Sequence, residues 1–150
     1  MNVEGEEDVV AAVRACWASL WTARAADYRL RRQPGRTPEP VMAVLVMPMV
    51  DARRAGVLFT ADPVTGRRDR ITVDAVEGLG EALVSGHTTG VTHVVDRTDG
   101  RLLSERPSLP TAELDQLVRL ADRVEALFGG PQDIEWACAG GHCWLLQARP

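Results

Sequence analysis

No lysine occurs among the 150 residues; all 17 basic residues are arginine. This excludes the glycine-rich phosphate loop whose lysine reaches the β/γ-phosphates, and any Schiff-base or strand-borne catalytic lysine. Cysteine is scarce and odd in number: Cys16, Cys138 and Cys143. That count argues against a disulfide framework and predicts buried or edge-strand thiols. Cys138, His142 and Cys143 lie close in sequence, but structural zinc wants four ligands at a recognisable spacing, and Cys16, His87 and His93 do not complete one. Long hydrophobic runs are also missing. The longest, Val41 to Val50, has ten residues and includes Pro48, too short to cross a bilayer. No charged segment followed by an apolar one opens the chain, so nothing points to secretion and the expected compartment is the cytoplasm. Nor is there a basic excess. The 21 acidic residues give a net charge of -4, which argues against a nucleic-acid partner.

With 45% hydrophobic and 25% charged residues, the chain reads as one folded domain. The spacing of Val10, Val13, Trp17, Leu20, Trp21, Ala25 and Tyr28 predicts one amphipathic helix from about Glu6 to Tyr28, with the Trp17/Trp21 pair in the core. Leu30 to Pro40, rich in arginine and proline, reads as a solvated connector. Val41 to Val50 reads as a strand buried on both faces, and Gly56 to Thr60 and Ile71 to Val76 as two further strands. Between these last two lies the turn Ala61 to Gly66. Val91 to Asp96 and Arg101 to Leu103 flank an Asp99-Gly100 turn. Thr111 to Phe128 is a second helix, with Thr111 as its cap and Leu114, Leu117, Val118, Ala121, Val124 and Phe128 as its apolar stripe; Gly129-Gly130-Pro131 ends it. A closing hairpin joins Gln132–Cys138 to Cys143–Arg149. The expected fold is α+β, a mostly antiparallel sheet with two long helices.

The hairpin carries the chemistry. Alternation puts Asp133 and Glu135 on one face, as it does Gln147 and Arg149, while Ile134, Trp136, Trp144 and Leu146 form the apolar set. A register in which paired positions sum to 281 sets Glu135 against Leu146 and mixes the sets. A sum of 282, through a three-residue Gly140-Gly141-His142 loop, sets Glu135 against Gln147 and Asp133 against Arg149, with Trp136 near Trp144 and Leu146. In that register the face is open to two readings. One is a solvated surface with a weak cross-strand ion pair. The other is a divalent-cation and phosphate site, since carboxylate and amide oxygens suit Mg²⁺ and a guanidinium suits a phosphoryl group.

The segments Gly56–Gly66 (GVLFTADPVTG), Gly78–Gly86 (GLGEALVSG), Pro131–Trp136 (PQDIEW) and Trp144–Pro150 (WLLQARP), with the Cys16–Arg29 helix, resemble the ATP-binding domain of the phosphoenolpyruvate synthase, pyruvate phosphate dikinase and rifampicin phosphotransferase group. The resemblance runs over nearly the whole chain. It implies the C-terminal portion of an ATP-grasp-like domain that binds ATP and Mg²⁺ for transfer to a histidine on a swivelling domain, and then to pyruvate or another acceptor. It places Glu135, Gln147 and Arg149 on the phosphates and their metal, with Asp133 assisting at the metal and Arg149 as the catalytic cation. The glycine-rich and lysine-bearing half, the phosphohistidine domain and the acceptor domain have no counterpart in these 150 residues; a second chain carrying them is one partner open to the resemblance, beside ATP itself. The family's adenine-side pattern Val-Gln-x-Met-Val reads Val46-Met47-Pro48-Met49-Val50 here, so Met47 replaces a side-chain amide that the resemblance places near the nucleotide. Apolar surface on Val41–Val50 and the Trp17/Trp21 helix predicts self-association or a partner chain. The alternative is a catalytically inactive remnant serving as an interaction or assembly module.

Overall fold

A computed structural model describes residues 3–32, 40–80, 83, 89–104 and 108–150. The chain forms two compact units, Met1–Met49 and Val50–Pro150. In the first, helices α1 (Glu6–Ser19) and α2 (Ala23–Arg32) replace the single helix that the periodicity predicts. Hydroxyl side chains explain the break. Ser19 Oγ donates to the Cys16 carbonyl at 2.6 Å and Thr22 Oγ1 to the Ser19 carbonyl at 2.9 Å. Thr22 Oγ1 also accepts the Ala25 N–H at 3.3 Å, which restarts the chain as α2. Arg29 then donates to the Leu20 carbonyl at 2.6 Å, tying α2 to the break. The connector expected from Leu30 begins later, because α2 runs to Arg32; positions 33–39 lie outside the described residues.

The core role expected for the tryptophans is not met. No residue of α1 is buried, and Trp17 and Trp21 are 50% and 70% exposed. Trp17 instead uses its indole N–H to reach the Met42 carbonyl at 3.2 Å. Nor is Val41–Val50 a buried strand. It carries no strand pairing, and Val41, Leu45 and Val46 are well exposed. Pro48 supplies no N–H for a ladder, and apolar composition alone cannot make a strand without a neighbour to pair with.

The second unit is an antiparallel sheet of β1 (Arg54–Phe59), β2 (Arg70–Glu77), β3 (Val91–Asp96), β4 (Asp133–Ala139) and β5 (His142–Arg149), with helix α3 (Thr111–Phe128). The strand order is β3-β2-β1-β4-β5. One face packs against α3: Leu58, Ile71, Val73, Val95, Ile134 and Trp136 meet Leu114, Leu117, Ala121 and Val124. This is the α3 stripe the spacing predicts, except that Phe128 is exposed and Pro110, not Thr111, occupies the cap position with no side-chain hydrogen bond. Gly129, at φ 75°, ends the helix as expected, and its N–H bonds the Glu125 carbonyl. The turn before β2 is closed by Asp62, whose carboxylate accepts the N–H groups of Val64 and Thr65 at 2.9 and 2.8 Å. Those two bonds hold its carboxyl below the ordinary carboxylate range. Arg101–Leu103 forms only an isolated bridge, Val95 to Leu102. Among the described residues no helix is long and apolar enough to cross a membrane.

Gly56 and Trp136 stand directly opposite on β1 and β4. A Cβ at Gly56 would meet the Asp74 carbonyl oxygen at 1.8 Å and the Trp136 ring at 2.8 Å. The indole thus occupies the space that only glycine leaves, and Trp136 is fully buried. A buried ion pair adds to the same seam: Arg54 Nη1 lies 3.0 Å from both Glu113 carboxylate oxygens, joining β1 to the first turn of α3.

Cys138 and Cys143 are not thiols. They form a disulfide between directly opposed residues of β4 and β5, with Cα atoms 4.1 Å apart, and Cys16 is the free cysteine. The parity of the count misled because it left one cysteine over and said nothing of which pair the hairpin apposes.

Two outcomes follow for stability. Trp136→Ala should lower the unfolding free energy by about 3–5 kcal/mol in urea denaturation, as a buried aromatic truncation beside a glycine that cannot fill the hole; a loss under about 1 kcal/mol would contradict the packing. Reducing the disulfide, which closes a short loop, should cost about 2 kcal/mol by the chain-entropy model, read as a lowered Tm that Cys138→Ser/Cys143→Ser reproduces.

Candidate functional site

The β4–β5 hairpin turns through two residues, Gly140 and Gly141, both at positive φ (57° and 80°). That is a primed two-residue turn, whose twist matches the strands, in place of the expected three-residue loop. From Ala139↔His142 to Trp136↔Leu145 the pairs sum to 281; from Glu135↔Gln147 to Asp133↔Arg149 they sum to 282. A bulge between Glu135 and Trp136, with Leu146 as the extra residue, reconciles the two registers. The polar pairs are those the alternation predicts. The apolar partners are not: Trp144 pairs with Ala137 and is 47% exposed, on the opposite face from Trp136, because the bulge reverses parity along β5.

The face away from α3 therefore carries, in rows one pair apart, Asp133 with Arg149 and Glu135 with Gln147. Asp133 Oδ2 accepts from Arg149 Nε at 2.8 Å and Nη2 at 2.7 Å. Both bonds engage one side of the guanidinium and leave Nη1 directed elsewhere. The hydrogen bond and charge of Asp133 push the Arg149 guanidinium further above its ordinary value, and Glu135 adds to this. Asp133 is only 20% exposed, and its Oδ1 is buried without a hydrogen-bond partner. Across β1, Glu135 faces Val57 and Asp133 faces Phe59, so half-buried apolar side chains form the floor beside the polar rows.

The structure brings Asp133, Glu135, Gln147 and Arg149 together. Met47 belongs to the first unit and is 45% exposed. Among the described residues no group of three or more His, Cys, Asp or Glu side chains could hold a metal ion by itself. His93 is excluded from chemistry by its own hydrogen bonds. Fully buried, it accepts the Ser108 and Leu109 N–H groups at Nε2 (2.9 and 3.2 Å), which puts its proton on Nδ1 toward the Val73 carbonyl. His142 stands at the hairpin tip, 6.2 Å from the Trp144 ring, and His87 lies outside the described residues. Sequence reasoning passed over Asp74, which the alternation of Ile71–Val76 puts on this same outer face, where it accepts a hydrogen bond from Thr92 Oγ1 at 2.5 Å.

Because Arg149 is 62% exposed, its pair with Asp133 should contribute under about 1 kcal/mol to stability. A double-mutant cycle of Asp133→Ala and Arg149→Ala in urea is expected to return a coupling within that bound. A larger value would make the pair a structural element.

Residues 1–106 and 101–150 match the family described as "Pyruvate phosphate dikinase, AMP/ATP-binding domain". Among curated relatives, the chain is 36% identical to the prodigiosin synthesizing transferase PigC of Serratia marcescens and 39% identical to a probable phosphoenolpyruvate synthase of Archaeoglobus fulgidus. It is 42% identical to a rifampicin phosphotransferase of a Streptomyces species. Each comparison covers all of this chain, and respectively 20%, 23% and 20% of the relative, so the chain spans about a fifth of their length. The alignments run over 177 or 178 positions against 150 residues, so the relatives hold residues that this chain lacks within the shared region. The two family segments meet at 101–106, ahead of α3 in the sequence.

Proposed function

The chain belongs to the family of pyruvate phosphate dikinase AMP/ATP-binding domains, and from that premise we propose that it forms the ATP- and Mg²⁺-binding portion of an ATP-dependent phosphotransferase. The observation that carries this reading is the pairing of Glu135 with Gln147 and of Asp133 with Arg149 on the sheet face turned away from α3. The donor set fits a magnesium ion. Asp133 Oδ1 is buried and unsatisfied, the Glu135 carboxylate lies two residues along the same face, and hard cations of this size take one or two carboxylates together with substrate phosphates. Asp133 and Glu135 would hold the ion, and Gln147 would orient beside them with its amide oxygen. Bound there, Mg²⁺ supplies charge neutralisation of the β- and γ-phosphate oxygens.

In this reading Arg149 is the catalytic cation. Asp133 fixes one side of its guanidinium, leaving the other to meet the charge on the transferred phosphoryl group. Positioning and charge stabilisation make up nearly all of a protein's part in phosphoryl transfer, so four side chains on a hydrogen-bonded hairpin are a suitable frame. The domain is ATP-grasp-like and works with a glycine-rich half, a histidine that takes the phosphate, and an acceptor domain. The assignment of Met47 to the adenine rests on the sequence resemblance alone. The cytoplasm is the matching compartment.

A second reading, an interaction or assembly module, is favoured by the exposed apolar side chains of the first unit, among them Trp21, Val41 and Leu45. Self-association detected by light scattering without any response to nucleotide would select it.

Titration with MgATP, followed through the Gln147 side-chain amide by NMR, should shift that signal in a magnesium-dependent way. Glu135→Gln should remove the magnesium-dependent part while leaving the melting temperature unchanged within about 1 kcal/mol of stability. An unaltered response in Glu135→Gln would refute the assignment.

A further inference from the structure

The outer sheet face holds a carboxylate that the metal and phosphate rows leave unused. Register places Thr92, Asp74, Val57, Glu135 and Gln147 in one row across β3, β2, β1, β4 and β5. Directly opposed residues share a face, and two interstrand steps separate Asp74 from Glu135, about 10 Å. In the sheet, Val57 stands between them. Thr92 Oγ1 donates to Asp74 Oδ1 at 2.5 Å, which fixes the carboxylate and leaves Oδ2 without a donor among the described residues.

The neighbouring row toward the hairpin tip is closed. Ala55 and Ala137 pair there and are each 2% exposed. A Cβ at Gly80 would lie 3.2 Å from the Ala55 Cβ, so the Gly80 backbone sits directly on this row. The opposite row, toward the end of the chain, holds Asp133 and Arg149, where the terminal phosphate belongs in the reading above. With phosphates over Glu135 and Gln147, the row itself offers a nucleotide a path across Val57 toward Asp74.

We propose that Asp74, held by Thr92, accepts a hydrogen bond from the ribose hydroxyls of the bound nucleotide and so selects ribonucleoside over deoxyribonucleoside triphosphates. The inference rests on the phosphate site proposed at Glu135, Gln147 and Arg149. Its chemistry is that of a fixed carboxylate oxygen, an acceptor only, facing a neutral hydroxyl donor over an apolar floor. A ligand lacking the hydroxyl leaves that oxygen unpaired in the occupied site, which is where discrimination comes from. Thr92 acts through Asp74 and is a positioning residue.

The test compares MgATP, Mg-2′-deoxyATP and Mg-3′-deoxyATP, each titrated against the chain and followed at the Gln147 side-chain amide. The intact protein should favour ATP at least about tenfold over one or both deoxynucleotides. Asp74→Ala should bring ATP affinity down to that of the disfavoured deoxynucleotide, whose own affinity stays unchanged. Thr92→Val, on an exposed edge strand, should reduce the ratio in part, and it carries the test if Asp74→Ala does not fold. A ratio near one in the intact chain, or a ratio preserved in both variants, overturns the proposal. Glu135→Gln, run alongside, separates the two readings. If it abolishes binding while the Asp74 variants keep the ratio, the ribose assignment alone fails. If it leaves binding intact, the phosphate site fails and takes this proposal with it.

Discussion

The Trp136 indole lying over Gly56 is the contact on which the second unit turns. The pair stands opposite on β1, the central strand of the sheet, and its neighbour β4. Any larger residue at 56 would strike the Asp74 carbonyl on β2 as well as the ring. One contact therefore fixes β4 against β1 and bears on the spacing of β2. Since side chains alternate along a strand, seating Trp136 inward turns Asp133 and Glu135 outward. The polar face exists because the apolar one is pinned.

The β4–β5 bulge is the second constraint. A two-residue glycine turn imposes one register at the hairpin tip, and the separation of polar from apolar residues requires the other near Arg149. One inserted residue, Leu146, lets both hold. Its consequence is that the two ends of β5 obey opposite parity: Trp144 turns out while Gln147 and Arg149 keep their face. The tip itself is fastened independently, by the Cys138–Cys143 disulfide and by Gln116 of α3, which donates to the Gly141 carbonyl and accepts the Cys143 N–H. A bulge flanked by a fastened tip and an ion-paired end is a defined bend, of the kind found beside functional sites.

The two units differ in how their residues are satisfied. In the second, apolar side chains meet across α3 and the sheet, and the buried charges of Arg54 and Glu113 are paired. In the first, helices with apolar stripes and a run of Val, Leu and Met hold most of that surface open to solvent. The same amphipathic pattern that marks a core helix in α3 marks exposed surface in α1, because periodicity reports which side chains share a face and nothing about what lies against it.

Local chemistry was legible in the residues themselves. The α3 stripe and its glycine stop, the Asp62 turn, the strands β1 to β3 and the partners Glu135–Gln147 and Asp133–Arg149 all follow from periodicities and turn preferences that act over a few residues. What needed the tertiary structure depends on contacts between distant segments. The absence of pairing along Val41–Val50 and the placement of Asp74 in the Glu135 row are of that kind; the break at Leu20–Thr22 and the disulfide are local, but they rest on side-chain geometry that periodicity and a cysteine count do not read. The bulge shows the division most directly. Hairpin turn and strand alternation each prefer a register on local grounds, and the two preferences disagree by one residue. Only the packing of Trp136 against β1 and α3 decides that both are kept, with the surplus residue placed between them.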